Sequence, residues 1–368
     1  MKQTVITGVN AIAKLDAVLK KIGTKKLLLV CDNSFEFLNI KENILNLPVD
    51  MAVFSDFTPN PLYEDVVKGV ELFQKGNCDT ILAVGGGSSL DVAKCIKLFS
   101  KMDKGENFLN QEFKDTMVPL IAVPTTAGTG SESTRYAVIY FEGKKQSVTS
   151  DSIVPDYAFL HFEVLGTLPL YQKKCTLLDA LCQGIESWWS VNSTEESKKI
   201  SEKAVKAITK YTDAYLEGDK FAMEEIMLAS NLSGQAISIT QTTAAHAMSY
   251  KLTSLYKIPH GHAAAICLPK VWRYMAENSA LCIDPRGKEY LESTFLKIAN
   301  ALGFEATDDA INGFEALLSK LQIESPTAVN RAEELDILAK SVNPVRLGNN
   351  PVKLSEETLK SLYERIVK

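Results

Sequence analysis

The sequence predicts an α/β N-terminal domain built on a doubly wound, mostly parallel, Rossmann-like sheet, followed by an all-α C-terminal domain. Three observations carry this. Short, almost wholly apolar runs alternate with helical patterns through the first part of the chain, and amphipathic spacing replaces them after Pro169. The 368 residues also exceed the length at which a single hydrophobic core stops growing. The expected domains are residues 1–165 and 166–368.

The strands expected first are KKLLLVC (25–31), MAVFS (51–55), TILAV (80–84) and PLIAVP (119–124). Runs this apolar, separated by helical segments such as LYEDVVKGVELFQKG, imply a parallel sheet covered on both faces. RYAVIYF and GKKQSVTS then read as a hairpin, and YAFLHF as a last strand before the pattern changes near Leu165. Beyond it, ESKKISEKAVKAITKYTDAYL and EEIMLASNLSGQAISI repeat apolar residues at helical spacing. The polar stretch SPTAVNRAEELD (325–336) reads as a surface connection.

Composition narrows the function. Hydrophobic residues make up 46% of the chain, and the net charge of −5 comes from interspersed acids and bases, so there is no electrostatic footprint for nucleic acid or an anionic membrane. No stretch approaches the roughly 20 apolar residues of a membrane span, and MKQTVITGVNAIAKL lacks the apolar centre of a signal peptide. Seven cysteines without a C-x-x-C pair argue against a disulfide framework or a thiolate zinc site. A soluble cytoplasmic protein is expected.

Two loops carry phosphate-binding character. In VGGGSSLDVAKCIKLFS, Gly85, Gly86 and Gly87 permit close backbone approach, and the N–H groups and positive dipole end at Ser88 and Ser89 suit a diphosphate. The alternative is a tight strand–helix turn, since the segment matches neither G-x-G-x-x-G nor a P-loop. PTTAGTGSEST (124–134) again offers glycines and hydroxyls at the C-terminal end of a strand, where open α/β sheets bind ligands. Asp32, closing KKLLLVCD, is placed either to accept from an adenosine ribose or to cap the segment after it.

A second constellation has metal-site character. Asp179 and Gln183 lie four apart in the helical-looking KKCTLLDALCQGIESWW, so they share a face one turn apart. His246 in TTAAHAMSY and His260 in the turn-like IPHG are two of only four histidines.

Together GGGSSLDVAK, PTTAGTGSE, DALCQGIES, H-x13-H ending in IPHG, and a late NP in VNPVR resemble the iron-dependent alcohol dehydrogenase family over nearly the whole chain. The resemblance implies a dehydroquinate synthase-like architecture, with a nucleotide-binding N-terminal domain and a helical metal-binding C-terminal domain. It implies a nicotinamide cofactor that meets an aldehyde or alcohol, and assembly as a homodimer or larger. Matched by motif, Asp179, His246 and His260 correspond to metal ligands, iron(II) ahead of zinc. Gln183 stands where the family usually has histidine, and a neutral carboxamide oxygen binds more weakly and favours harder ions than an imidazole does.

The same matching puts Gly85 to Ser89 on the diphosphate, Asp91 near the nicotinamide end, Thr125, Thr126 and Thr129 along the cofactor, and Lys145 on the cofactor side. Asp32 matches the carboxylate that favours NAD(H) over NADP(H) by repelling a 2′-phosphate. Tyr250 occupies the position, four residues after the first histidine ligand, where many relatives carry a proton-transfer histidine, and is the candidate acid.

Within the family, DALCQGIESWWS and TTAAHAMSYKLTSLYKIPHGHAAAICLP resemble the phosphonoacetaldehyde reductase branch. A phosphonate needs cations or N–H donors at one end of its site. Arg135, Lys251 and His262 are the candidates, against a hairpin-edge ion pair, a solvated lysine and a helix-capping histidine. Three other functions stay open: a general short-chain alcohol dehydrogenase, a lyase of the dehydroquinate synthase type, and a non-catalytic nucleotide-binding relative.

Overall fold

A computed structural model describes residues 3–368. Met1 and Lys2, which open the segment expected to carry no leader, lie outside the described residues. The strands are β1 (Thr4–Thr7), β2 (Lys26–Cys31), β3 (Asp50–Phe54), β4 (Thr80–Gly85), β5 (Leu120–Pro124), β6 (Tyr136–Phe141), β7 (Lys144–Thr149) and β8 (Tyr157–Leu160). The helices of the first part are α1 (Leu15–Ile22), α2 (Lys41–Leu45), α3 (Tyr63–Lys75) and α4 (Gly87–Phe99). Then follow α5 (Leu170–Trp189), α6 (Glu195–Glu217), α7 (Lys220–Thr240), α8 (Ala244–Tyr256), α9 (His260–Glu277), α10 (Lys288–Ala301), α11 (Thr307–Lys320), α12 (Arg331–Lys340), α13 (Pro344–Leu347) and α14 (Glu356–Glu364).

Six strands form one sheet in the order β1-β8-β5-β4-β2-β3, and every pairing is parallel. β4 and β5 are buried along their whole length, as apolar strands covered on both faces must be. β6 and β7 form the expected antiparallel hairpin. β1 was not expected from the sequence. It is four residues long, mostly exposed and at the sheet edge, so burial leaves little apolar pattern in it.

Two compact units result: the described residues to Leu168 together with Gly218–Gly234, and Pro169–Glu217 together with Gln235–Lys368. The first unit thus includes most of α7. Gly130, at φ +58, and Gly234 explain this, because a β-carbon on Gly234 would lie 2.5 Å from the Gly130 carbonyl oxygen. Only glycine at both positions lets helix and loop backbones meet. Asn231 adds hydrogen bonds to Glu132 Oε1 at 3.0 Å and Ser133 Oγ at 2.6 Å.

The second unit is helical throughout, around a core in which Trp189 packs edge-on against Trp272 and Phe295. Residues 331–336, expected in a surface connection, instead open α12. That helix buries only Leu335, Leu338 and Ala339, so most of it is polar and resembles a loop in sequence. All seven cysteines are free thiols. Among the described residues no helix is long and apolar enough to cross a membrane.

Candidate active site

In the first unit the expected cofactor residues gather at the C-terminal ends of β2, β4 and β5, which neighbour one another in the sheet. Gly85 has φ +154, and a β-carbon there would overlap Ser89, so the turn into α4 requires glycine. The N-terminal residues of α4, Gly87 to Ser89, then point unpaired helix N–H groups and the dipole's positive end out of the sheet. The second loop is built onto the first. Thr125 N–H donates to the Gly85 carbonyl at 3.0 Å, and a β-carbon on Gly87 would lie 2.9 Å from Thr129 Cγ2 and one on Gly86 3.5 Å from Thr126 Cγ2.

Asp32 takes up the capping role, and its second oxygen is tied to the first glycine loop. Oδ1 accepts from Ser34 N–H at 2.7 Å as a cap, and Oδ2 accepts from Ser89 Oγ at 2.8 Å. With Asn33, Ser34, Phe57, Pro59 and Gly86 it lines a cavity of about 240 Å³. Asp91 is committed internally, its carboxylate accepting from Ser131 Oγ at 2.7 Å and Val138 N–H at 2.9 Å. Lys145, half-buried on β7, lies near enough that its charge favours the Asp91 carboxylate.

The sequence reading missed Lys94. Fully buried one turn after Asp91, its ammonium shares three protons among four acceptors at 2.8–3.0 Å, Ser131 Oγ, Thr134 O, Thr134 Oγ1 and Tyr136 O. Burial lowers its pKa to about 8 against the pull of Asp91 and Glu132. This lysine ties the end of the second loop to α4. Only the K of GGGSSLDVAK hinted at it.

In the second unit the expected metal-site residues do converge. The donor atoms of Asp179, His246 and His260 all lie within 4.8 Å of one another. Asp179 and Gln183 project from α5 as their spacing required, and the Gln183 amide hydrogen-bonds to the Asp179 carboxylate. His260 opens α9, with Pro259 at the cap position before it, after α8 ends on the left-handed Lys257. Gly261 makes the approach possible, because a β-carbon there would overlap the Cys175 carbonyl oxygen and lie 2.8 Å from Asp179 Cβ. The His246 and His260 rings sit 5.3 Å apart, and Tyr250 stacks on His260 at 5.5 Å and 14°.

Behind His246 stands Glu186, also missed, although it follows Asp179 by seven residues and Gln183 by three on the same helix face. It is wholly buried and fully satisfied. Oε1 accepts from Thr243 N–H, Thr243 Oγ1 and His246 N–H at 3.1, 2.8 and 3.2 Å, while His246 Nδ1 hydrogen-bonds to Oε2. Trp189 Nε1 donates to Thr243 Oγ1 at 2.9 Å, so the hydroxyl proton is left for Glu186. The other nitrogen, His246 Nε2, lies 3.2 Å from Asp179 Oδ1.

Burial alone would lower the His246 pKa, but the Glu186 and Asp179 carboxylates outweigh it and raise the imidazole to about 10. Burial would likewise raise Asp179 and Glu186, yet His246 and their other donors hold both below the usual carboxylate range. A proton on Nε2 here stands where a cation between Asp179 and His246 would stand. One carboxylate and two imidazoles around a buried point fit a divalent ion. With its amide committed to Asp179, Gln183 has Oε1 as its available donor atom.

Two of the three expected phosphonate contacts have partners within the protein. Arg135 pairs with Asp151 at 3.2 Å and donates to Tyr136 Oη at 3.3 Å, the hairpin-edge ion pair. His262 Nε2 lies 2.7 Å from the Glu324 carbonyl, which can only accept, so Nε2 carries the proton and Nδ1 accepts from Tyr171 Oη at 2.8 Å. Burial also lowers its pKa, so His262 is a neutral tie between helices. Lys251 is half-buried on α8, and its ammonium pairs with no carboxylate among the described residues.

A parallel sheet with paired glycine loops and a carboxylate–imidazole cluster suit a protein that binds a nucleotide and a divalent ion. Residues 2–162 match the iron-containing alcohol dehydrogenases, and residues 174–367 match the C-terminal part of the Fe-containing alcohol dehydrogenase family. The chain belongs to the iron-containing alcohol dehydrogenase family. It is 29% identical over 373 residues to the 1-propanol dehydrogenase PduQ of Salmonella typhimurium, covering 95% of each chain. It is 28% identical to the lactaldehyde reductase of Escherichia coli K12 over 99% of this chain and 97% of that one. The solved sulfoacetaldehyde reductase of Bifidobacterium kashiwanohense in complex with NAD+ is similar at a TM-score of 0.87 and 25% identity, over 99% of this chain and 96% of that one.

Proposed function

We propose that this chain reduces phosphonoacetaldehyde to 2-hydroxyethylphosphonate. In this reading it oxidises NADH in preference to NADPH. Asp179, Gln183, His246 and His260 hold a divalent ion, iron(II) ahead of zinc. The convergence of three of these side chains within 4.8 Å carries the reading. A cytoplasmic homodimer or larger assembly belongs to the same reading.

When bound, the ion supplies Lewis-acid stabilisation of negative charge developing on a carbonyl oxygen, and the reduced nicotinamide supplies the hydride. Everything else falls to the chain. The N–H groups at Gly87 to Ser89 bind the diphosphate, Thr125, Thr126 and Thr129 line the cofactor, and Asp32 accepts from its ribose and repels a 2′-phosphate. Glu186 fixes the His246 ring so that Nε2 faces Asp179. Tyr250, one helical turn after His246 and stacked on His260, gives its phenol proton to the product alkoxide.

An anionic two-carbon aldehyde is supported by the similarity to a sulfoacetaldehyde reductase, whose substrate also bears a tetrahedral anion. Lys251, five residues after His246 on α8, is the cation for it. A second reading is a general short-chain alcohol dehydrogenase. The internal partners of Arg135 and His262 favour it, as does the similarity to a 1-propanol dehydrogenase.

Metal-stripped protein reconstituted with iron, zinc, manganese or cobalt, and assayed with NADH or NADPH against short aldehydes, separates these readings. The expected result is chelator-sensitive turnover with kcat/KM for phosphonoacetaldehyde about tenfold or more above that for propanal, worth about 1.4 kcal/mol. Equal turnover of both leaves the general dehydrogenase. Product without net nicotinamide oxidation favours the lyase, and no turnover with any metal removes catalysis.

A further inference from the structure

Each histidine of the cluster has one ring nitrogen engaged by a neighbour other than the Asp179 carboxylate. For His246 that neighbour is Glu186. For His260 it is Ser249, whose Oγ lies 2.8 Å from the His246 carbonyl oxygen and 3.2 Å from His260 Nδ1. A carbonyl oxygen only accepts, so the single hydroxyl proton is committed to it. The hydrogen bond to the ring then requires a proton on Nδ1, which leaves the lone pair on Nε2. Ser249 is fully buried, so solvent does not compete for its hydroxyl.

We propose that Ser249 is a positioning residue that holds His260 in its Nδ1–H tautomer and so keeps Nε2 as the donor toward the shared ion. The proposal rests on the metal reading above. It gives the two histidines different supports for the same end. Glu186 and Asp179 together carry two negative charges, which match one divalent ion. A third carboxylate behind His260 would leave the buried site with excess negative charge, whereas a hydroxyl sets the tautomer without adding any. The arrangement also links the two ligands, since the proton that Ser249 gives to the His246 carbonyl frees its oxygen to accept from His260. The stacked Tyr250 ring restricts the remaining rotation.

A serine that merely bonds back along its own helix would show the same contact to the His246 carbonyl, and the test separates the two. With four histidines in the chain, long-range proton–nitrogen spectra of metal-free, full-length protein with nitrogen-labelled imidazoles resolve each tautomer. His260→Gln assigns the signal. The wild type is expected to show His260 as Nδ1–H. Ser249→Ala should move it toward Nε2–H and weaken zinc or cobalt binding about tenfold or more in competition with a chelator, and Ser249→Thr should restore both. An Nε2–H pattern in the wild type overturns the proposal without any variant, as does Ser249→Ala leaving tautomer and affinity unchanged. If the wild type takes up neither ion while the His260 tautomer still depends on Ser249, the metal reading fails and the hold of Ser249 on the ring stands.

Discussion

Gly261 sits against the backbone of Cys175 so closely that the smallest side chain would overlap the Cys175 carbonyl oxygen. This contact sets how near α9 comes to α5, and therefore whether His260 reaches Asp179. Gly261→Ala must push the two helices apart. Overpacking of this kind costs about 1–3 kcal/mol. The larger consequence expected is loss of bound metal, since ligands displaced by even an ångström no longer share an ion. Urea denaturation and metal content of the purified variant check this, and normal metal content would show that the close approach does not matter.

Glu186 is predicted to matter through His246. Glu186→Gln keeps the shape and an acceptor oxygen but removes the charge that makes the imidazole a stronger donor. Affinity for a divalent ion should fall about 10–100-fold, measured by competition with a chelator, with the fold retained. Unchanged affinity would make Glu186 only a helix cap for α8.

How far these features were legible differs by residue. The clustering of Asp179 with the histidines was readable because a four-residue spacing and a Pro-His-Gly corner are local patterns, and β2, β4 and β5 because double-sided burial writes itself as apolar runs. Glu186 and Lys94 lay inside recognised motifs but passed as ordinary helix charges, since only tertiary packing shows that each is buried among partners. The association of α7 with the first unit was invisible for the same reason: it depends on Gly130 and Gly234, 104 positions apart, meeting backbone to backbone. For Arg135 a hairpin-edge ion pair and for His262 a helix cap were among the readings, but the partners themselves were not legible. Asp151 and Glu324 become their neighbours only in the fold.

Stability of the metal-free protein should depend on pH through His246. Its folded pKa of about 10 lies above the ordinary value of about 6.5. The protonated ring therefore stabilises the fold fully below about pH 6.5, and this contribution is lost as pH rises through about 10. The lowered pKa values of Asp179 and Glu186 act in the opposite sense. Their contribution is present above about pH 4 and lost as pH falls below it. Thermal unfolding of stripped protein should show a falling Tm between about pH 6.5 and 10, and metal uptake in that range should release protons. A flat Tm across this range would show that the His246 proton is not held by the two carboxylates.

Asp32 is predicted to set cofactor choice. Asp32→Asn keeps an oxygen for Ser34 N–H and turns its amide N–H toward Ser89 Oγ, which can accept, while removing the charge that would face a 2′-phosphate. The ratio of kcat/KM for NADPH over NADH should rise about tenfold, or about 1.4 kcal/mol. Steady-state kinetics with both cofactors give the answer, and an unchanged ratio would move the discrimination elsewhere.

The most direct test is anomalous diffraction from crystals of the iron- or zinc-loaded protein. One peak per chain is expected, about 2.0–2.2 Å from an Asp179 carboxylate oxygen and from Nε2 of both His246 and His260. A peak held by other residues, or none at this cluster in metal-saturated crystals, would contradict it.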